Sequence, residues 1–379
     1  MKKNHFIFSI ITLVLLVVFI TSFNYFKTTN TYIDDNINNQ TKIIKGISMN
    51  LEQTAGAGDY KTVTQSSWPT EGYKFNAELS RCENGSTLSW DDTKKAVIVS
   101  GNLSDKCYVY FDIYQPTLAE YIKSQYTGTQ GENALYYHNS TLTNGAGDNS
   151  YRYAGAWDSV NNYICLGSDA TTCPEANLFR IIGVFGAQTK VIRAKSVGNQ
   201  HWSTNASNTW SSSSLNTYLN GTYLTSLGTL ADKIATTTWK VGGGSWANIA
   251  SSVPKTAYQY EVGSYASTRT YAAKIGLMYV TDYYYSASPS AWTLVGYNES
   301  DATKDYRAAK TTNWLFSGQE WTISRNSDDS DNAFLVINRG YVNINSVDFG
   351  YHVRPSFNLL SSAKYVSGSG SMSDPVRVN

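Results

Sequence analysis

The sequence predicts an α+β protein: a membrane-spanning N-terminal helix, a small disulfide-clamped β-sandwich-like module, and a loop-rich α+β C-terminal domain. Three observations predict it. A long, mostly apolar run lies near the start. The four cysteines fall as two close pairs. Short β-branched and aromatic runs with turn residues between them far outnumber helical stripes.

Residues 6–23 read FIFSIITLVLLVVFITSF, interrupted only by Ser9, Thr12, Thr21 and Ser22. Hydroxyls of this kind bond back to helix carbonyls, so the run can cross hydrocarbon with its polar groups paired. Lys2 and Lys3 precede it and favour a cytoplasmic N-terminus. A cleaved signal peptide is the alternative. The run is longer than the usual h-region, however, and Phe23, Tyr25 and Phe26 stand where a peptidase needs small residues. The preferred reading is an uncleaved anchor over residues 1–26, a single-pass protein with its bulk outside the cell.

Residues 27–67 read as stalk and linker, with Ile33, Ile37, Ile43, Ile44 and Ile47 at loosely helical spacing and Gly56 and Gly58 beyond them. Residues 68–114 turn to β character, with strands around Ala96–Val99 and Cys107–Phe111. So small a core is marginal alone, and a Cys82–Cys107 bridge would contribute about 3.5 kcal/mol by loop entropy. Four cysteines allow three pairings. The short separations favour this one together with Cys165–Cys173, which is worth about 2.5 kcal/mol. Disulfides fit an exported domain, and C-x-x-C metal spacing is absent.

Residues 115–379 read as one α+β domain. Thr117 and Glu120 make a capping box for a helix carrying Leu118, Tyr121 and Ile122. Strands are expected at 179–185, 190–193, 334–337 and 341–344. Leu215, Tyr218 and Leu219 form a helical stripe that Ser213 or Ser214 can cap and Gly221 can end. Charged residues are only 16% of the chain, while 29 Tyr, 13 Phe and 10 Trp make it aromatic. That excludes disorder. A formal net charge of +1 excludes a nucleic-acid partner.

Several strings carry a resemblance. They are Asn161–Ser168, Asn177–Phe185, Lys274–Tyr283, Asn313-Trp314-Leu315 and Glu320-Trp321-Thr322-Ile323, then the tail His352-Val353-Arg354-Pro355, Gly368-Ser369-Gly370-Ser371 and Asp374-Pro375. Together they resemble an uncharacterised family of exported, membrane-anchored bacterial surface proteins. Its C-terminal domain resembles the C-type-lectin-like fold. Pilin-like relatives carry a Gly-Phe-Thr-Leu-x-Glu processing site, which has no counterpart here.

Catalytic signatures are scarce. No histidine lies within four residues of another, and neither a zinc motif, G-x-S-x-G nor a P-loop occurs. No cofactor is expected. Asn326, Asp329 and Asp331 could offer oxygens to a hard cation, although the EF-hand spacing is missing and a solvated turn is the plainer reading. Asp282 and Arg354 read as a buried, paired lock between loops. Asp348 and His352 could act as orienter and base. Tyr283, Tyr284, Tyr285 and Trp292 are the candidate ligand-binding residues, because Tyr and Trp beside Ser, Gly and Asn make rigid amphipathic surfaces. Trp314 and Trp321 read as core. The three tyrosines cannot all point inward from one strand, so at least one is expected to be exposed or at an interface.

The function expected is extracellular binding or adhesion, to a glycan, the cell wall or a surface-protein partner. A structural or pilin-like subunit of a surface filament or secretion apparatus is the alternative. An exported hydrolase using Asp348 and His352 ranks third.

Overall fold

The computed structural model describes residues 46–379 apart from Gln65, Ser66, Thr70 and Leu103. The anchor and most of the stalk expected from the sequence lie outside the described residues. Among those described, no helix is long and apolar enough to cross a membrane. The chain divides into two units, Met1–Gln115 and Pro116–Asn379.

In the smaller unit the strand Ile47–Glu52 runs parallel to Cys107–Ile113 and antiparallel to Tyr60–Val63. Tyr73–Phe75 and Arg81–Cys82 pair with the other side of Cys107–Ile113. A hairpin of Thr87–Asp91 and Ala96–Ser100 packs Leu88, Trp90 and Val97 against Met49, Leu51, Val109 and Phe111. The expected start of this module at residue 68 is corrected: two of its strands fall within residues read as stalk and linker. The isoleucines up to Ile47 suggested a helix, whereas Ile47, Met49 and Leu51 follow the period of two that a strand requires. Cys82 and Cys107 are directly opposed across the sheet and joined as a disulfide.

The larger unit is an α+β arrangement around a nine-stranded mixed sheet. Its main path runs Ile275–Gly276, Ser356–Asn358, Gln188–Arg193, Leu178–Phe185, Tyr163–Cys165, Val376–Val378, Tyr365–Ser367. Tyr151–Tyr153 pairs with the end of Leu178–Phe185 and carries Leu135–Tyr137 beyond it. Ile181, Val184, Val191 and Ile192 are fully buried in the core that this sheet shares with Trp314 and Trp321. A five-stranded sheet, Asn199–His201, Gly350–His352, Glu320–Arg325, Asn332–Val336 and Val342–Ser346, packs into the same core. Cys165 and Cys173 form the second disulfide.

The helices obey local chemistry. Thr117 caps Leu118–Ser124 through the expected capping box with Glu120. Ser213 caps Ser214–Tyr218, its Oγ accepting from Asn216 N at 3.1 Å. Gly221 does not end that helix: a wide turn over Leu219–Tyr223 carries it on to Ser226. The widening lets Asn220 pair with both Ile275 N and Ile275 O, at 2.9 Å each, and so ties the helix to the sheet edge.

Candidate functional site

One residue without a side chain assembles the site. Gly183 lies directly between Arg152 on one neighbouring strand and Lys190 on the other. Residues in register point to the same face of a sheet, so the two cations flank a gap where a third side chain would stand. A Cβ on Gly183 would meet Tyr151 O at 2.2 Å, so only glycine lets the strand Tyr151–Tyr153 approach this closely. The pairing register also shifts between Ile181 and Gly183, a bulge that brings Gly183 opposite both cations.

Above the gap, the helix Val280–Tyr285 delivers Asp282. The Asp282 Oδ2 atom accepts from Tyr279 N at 2.8 Å and so caps the helix. The same oxygen meets Lys190 Nζ at 2.5 Å, and Arg152 Nη1 approaches Oδ1 at 3.7 Å. Arg152 Nη2 reaches Asp148 at 2.7 Å, and Tyr258 Oη donates to Asp148 at 3.0 Å. An alternating chain results: Asp148, Arg152, Asp282, Lys190. Aromatic faces enclose it, with Lys190 Nζ 4.4 Å from the Tyr279 ring and 5.2 Å from Trp239. The Arg152 guanidinium lies 4.6 Å from Phe185 and 5.2 Å from Tyr285.

Burial sets the electrostatics. Desolvation pushes the Lys190 amine below its ordinary value, and Arg152 adds to this while Asp282 opposes it. Burial disfavours charge on Arg152 too, but Asp148 and Asp282 outweigh it and hold the guanidinium above its usual value. Burial would raise the Asp148 carboxyl, yet Arg152 and the Ser150 hydrogen bonds keep it well below the carboxylate range. Behind Thr281, Glu261 is fully buried and takes hydrogen bonds from Val280 N, Thr281 N, Thr281 Oγ1 and Ser324 Oγ. Desolvation raises its carboxyl despite those donors.

These groups open onto a cleft of about 260 Å³, with Asp148, Arg152, Lys190 and Asp282 beside Trp239, Tyr258 and Tyr279. Thr237, Thr238 and Lys240 reach it from the ribbon of Thr237–Lys240 and Thr270–Ala273. A larger groove of about 740 Å³ runs along the Cys165 loop and the strand Val376–Val378. Its Arg377 is already held by the carbonyls of Ser168, Ala170 and Thr171.

The residues expected from sequence are placed differently. Tyr283, Tyr284, Tyr285 and Trp292 are all at most 1% exposed, so the expectation of an outward tyrosine is corrected. Residues 280–285 form a helix, not a strand, and that helix is buried on every side. The tyrosine hydroxyls donate to Gly340 O, Ile249 O and Asn144 O, and Trp292 Nε1 to Ala287 O, so each is satisfied inside the core. Asp282 and Arg354 are both buried and paired, but not with each other. Arg354 forms a two-point pair with Glu320, its Nε donating to Oε2 at 2.7 Å. Asp348 and His352 are exposed, do not hydrogen-bond to each other and do not line the cleft. Among the described residues no group of three or more His, Cys, Asp or Glu side chains could hold a metal ion. Asp329 accepts from Asp331 N and Asn332 Nδ2, Asp331 also accepts from Asn332 Nδ2, and Asn326 accepts from Asp328 N.

Sequence reasoning missed Arg152, Lys190, Asp148 and Glu320. The signal was there in part: Lys190 sits inside Thr-Lys-Val-Ile, and Arg152 between two tyrosines. A charge inside a strand-forming string needs a partner, and its partner is worth seeking.

His138 lies behind this site, fully buried against Tyr285 and Trp292, with Nδ1 accepting from Ala146 N at 3.1 Å. Desolvation, then the Arg152 charge, hold it well below its ordinary value. Below about pH 6.5 the unfolded chain therefore binds a proton that the folded one refuses, and stability drains as pH falls. Urea unfolding between pH 7.5 and 5 should show this loss, and His138→Gln should flatten it. An unchanged slope in that variant would remove His138 as its source.

No family model matches the chain, and neither the curated proteins nor the solved structures show a match to it.

Proposed function

We propose that this is an extracellular binding protein, held at a membrane by its N-terminal segment, whose larger unit takes a small polar ligand in the Arg152–Lys190–Asp282 cleft. The observation that carries this is the combination of fixed, buried charges with aromatic walls in a single opening. Most of a binding pocket is apolar contact, and a few convergent polar groups set its orientation. Trp239, Tyr258 and Tyr279 supply the contact faces, while Lys190 and Arg152, anchored on Asp282, supply donors. A sugar unit of a glycan or of the cell wall fits that mixture, because its C–H face stacks on rings and its oxygens accept from the donors. Two disulfides and no free cysteine among the described residues support an extracellular setting. Grouping Pro116–Asn379 with C-type-lectin-like domains rests on the resemblance of its sequence strings, such as the closing Val353-Arg354-Pro355 and Asp374-Pro375.

The test is titration of the full chain in detergent against a panel of mono- and oligosaccharides and cell-wall fragments. Saturable binding is expected. Thr238→Trp, an exposed residue at the cleft mouth, should weaken it at least about tenfold without shifting the melting temperature. Binding that ignores this plug would move the ligand elsewhere, and a silent panel would count against the glycan form.

A further inference from the structure

We infer that the cleft selects a carboxylate, and that Lys190, Lys240 and Arg152 are the groups that receive it. The inference rests on the cleft being the ligand site and goes on to name the chemistry it takes.

The lining carries three cations, Arg152, Lys190 and Lys240, against two carboxylates, Asp148 and Asp282. One positive charge is left over. The hydrogen bonding leans the same way. Asp148 is fully engaged: Oδ1 accepts from Ser150 N and Ser150 Oγ, and Oδ2 from Arg152 and Tyr258. Asp282 Oδ2 already accepts from Tyr279 N and Lys190, and Oδ1 faces Arg152. Glu261, behind the wall, is occupied by four donors.

The donors are less occupied. Lys190, only 4% exposed, makes one hydrogen bond from an ammonium that has three to give. Arg152 Nη1 has only the 3.7 Å approach to Asp282. The Lys240 ammonium has no partner among the described residues, and its backbone N–H donates to Tyr279 Oη at 2.8 Å. That bond uses Tyr279 Oη as an acceptor and leaves its proton available. Gln188 lines the cleft with an amide that has no partner among the described residues. These donors line a partly desolvated cleft with few protein acceptors left to meet them, and a ligand that brings acceptors without donors answers all of them together. A carboxylate is that group: two oxygens, several lone-pair sites and one negative charge to balance the excess. A neutral polyol answers the hydrogen bonds but not the charge. A cation answers neither.

Such a carboxylate can come from an acidic sugar or from the end of a peptide. The test therefore uses both, with D-glucuronate and N-acetyl-D-alanine as probes and their methyl esters and D-glucose as neutral counterparts. Each is titrated calorimetrically into the full chain in detergent. At least one acid should bind about tenfold more tightly than its own ester, and the tighter acid identifies the source. Affinity should fall as sodium chloride is raised, because Lys240 sits at the rim where screening acts. Lys240→Ala should weaken the acid several-fold and the ester clearly less. Lys304→Ala, which removes an equal charge from an exposed pair with Asp301, should change neither. Lys190→Met should abolish the preference. If that variant folds poorly, Lys240→Ala and the ester comparison decide the matter alone.

Equal binding of acid and ester, or of D-glucose, sinks the carboxylate inference and leaves the cleft a ligand site. Acid binding that Thr238→Trp and Lys240→Ala both fail to disturb places the carboxylate outside the cleft, which overturns both. Absence of binding by every probe overturns the inference, and the wider saccharide panel then judges the cleft separately.

Discussion

Glu320→Ala should cost the larger unit about 3–5 kcal/mol, because it strips the buried Arg354 guanidinium of its carboxylate partner. Glu320 and Arg354 are each 1% exposed in their side chains and meet by two contacts. The remaining bond of Arg354 runs from Nη2 to Leu315 O at 2.5 Å, and Nη1 has no hydrogen-bond partner. Without Glu320 the charge would be held by one carbonyl in a core where water does not reach. At roughly 2–4 °C per kcal/mol for a domain of this size, the melting temperature should fall on the order of 10 °C. Glu320→Gln keeps the volume and one acceptor, so its loss should be smaller. The double change Glu320→Leu with Arg354→Met should recover much of the stability, since paired apolar replacements avoid the desolvation cost altogether. Calorimetry of the four proteins checks this. A Glu320→Ala melt within about 2 °C of the native protein would mean that the pair adds nothing.

Much of the scaffold was legible because it rests on local chemistry. The Thr117 capping box, the Ser213 cap and the strands around residues 179–185 and 334–337 follow from side chains close in sequence. Two local disulfides were legible for the same reason. Residues 280–285 were not. Three consecutive tyrosines carry strand propensity, yet Asp282 caps Tyr279 N, and tertiary burial then favours helix all round. The lock was half legible: Asp282 and Arg354 had to be paired, but which partner each takes depends on strands 92 and 34 residues away. The cleft was illegible for a further reason. Its floor depends on the absence of a side chain at Gly183, and an absence carries meaning only once the register across three strands is known.

Asp282→Asn should be the second most damaging change, and its signature is a pH dependence. The native carboxylate stands between two buried cations. Arg152 keeps Asp148 when it is gone, but Lys190 loses the one anion within hydrogen-bond reach among the described residues. A cost of about 3–5 kcal/mol at neutral pH follows from leaving that ammonium unpaired. Part of it can be escaped by losing a proton. Burial already holds the amine below its ordinary value while Asp282 pulls it up, so removing Asp282 lowers it further. The unfolded chain then binds more protons at Lys190 than the folded one, up to the ordinary lysine value of about 10.4. Stability of the variant should therefore rise with pH from 7 towards 10, more steeply than that of the native protein. Denaturant unfolding at stepped pH measures both slopes. Adding Lys190→Met to Asp282→Asn removes the titrating group, and should restore part of the stability at pH 7 and abolish the extra slope. If Asp282→Asn shows the native slope, then Lys190 keeps its charge without Asp282. Arg152, Asp282 and Lys190 would then not be the coupled charge chain that their geometry describes.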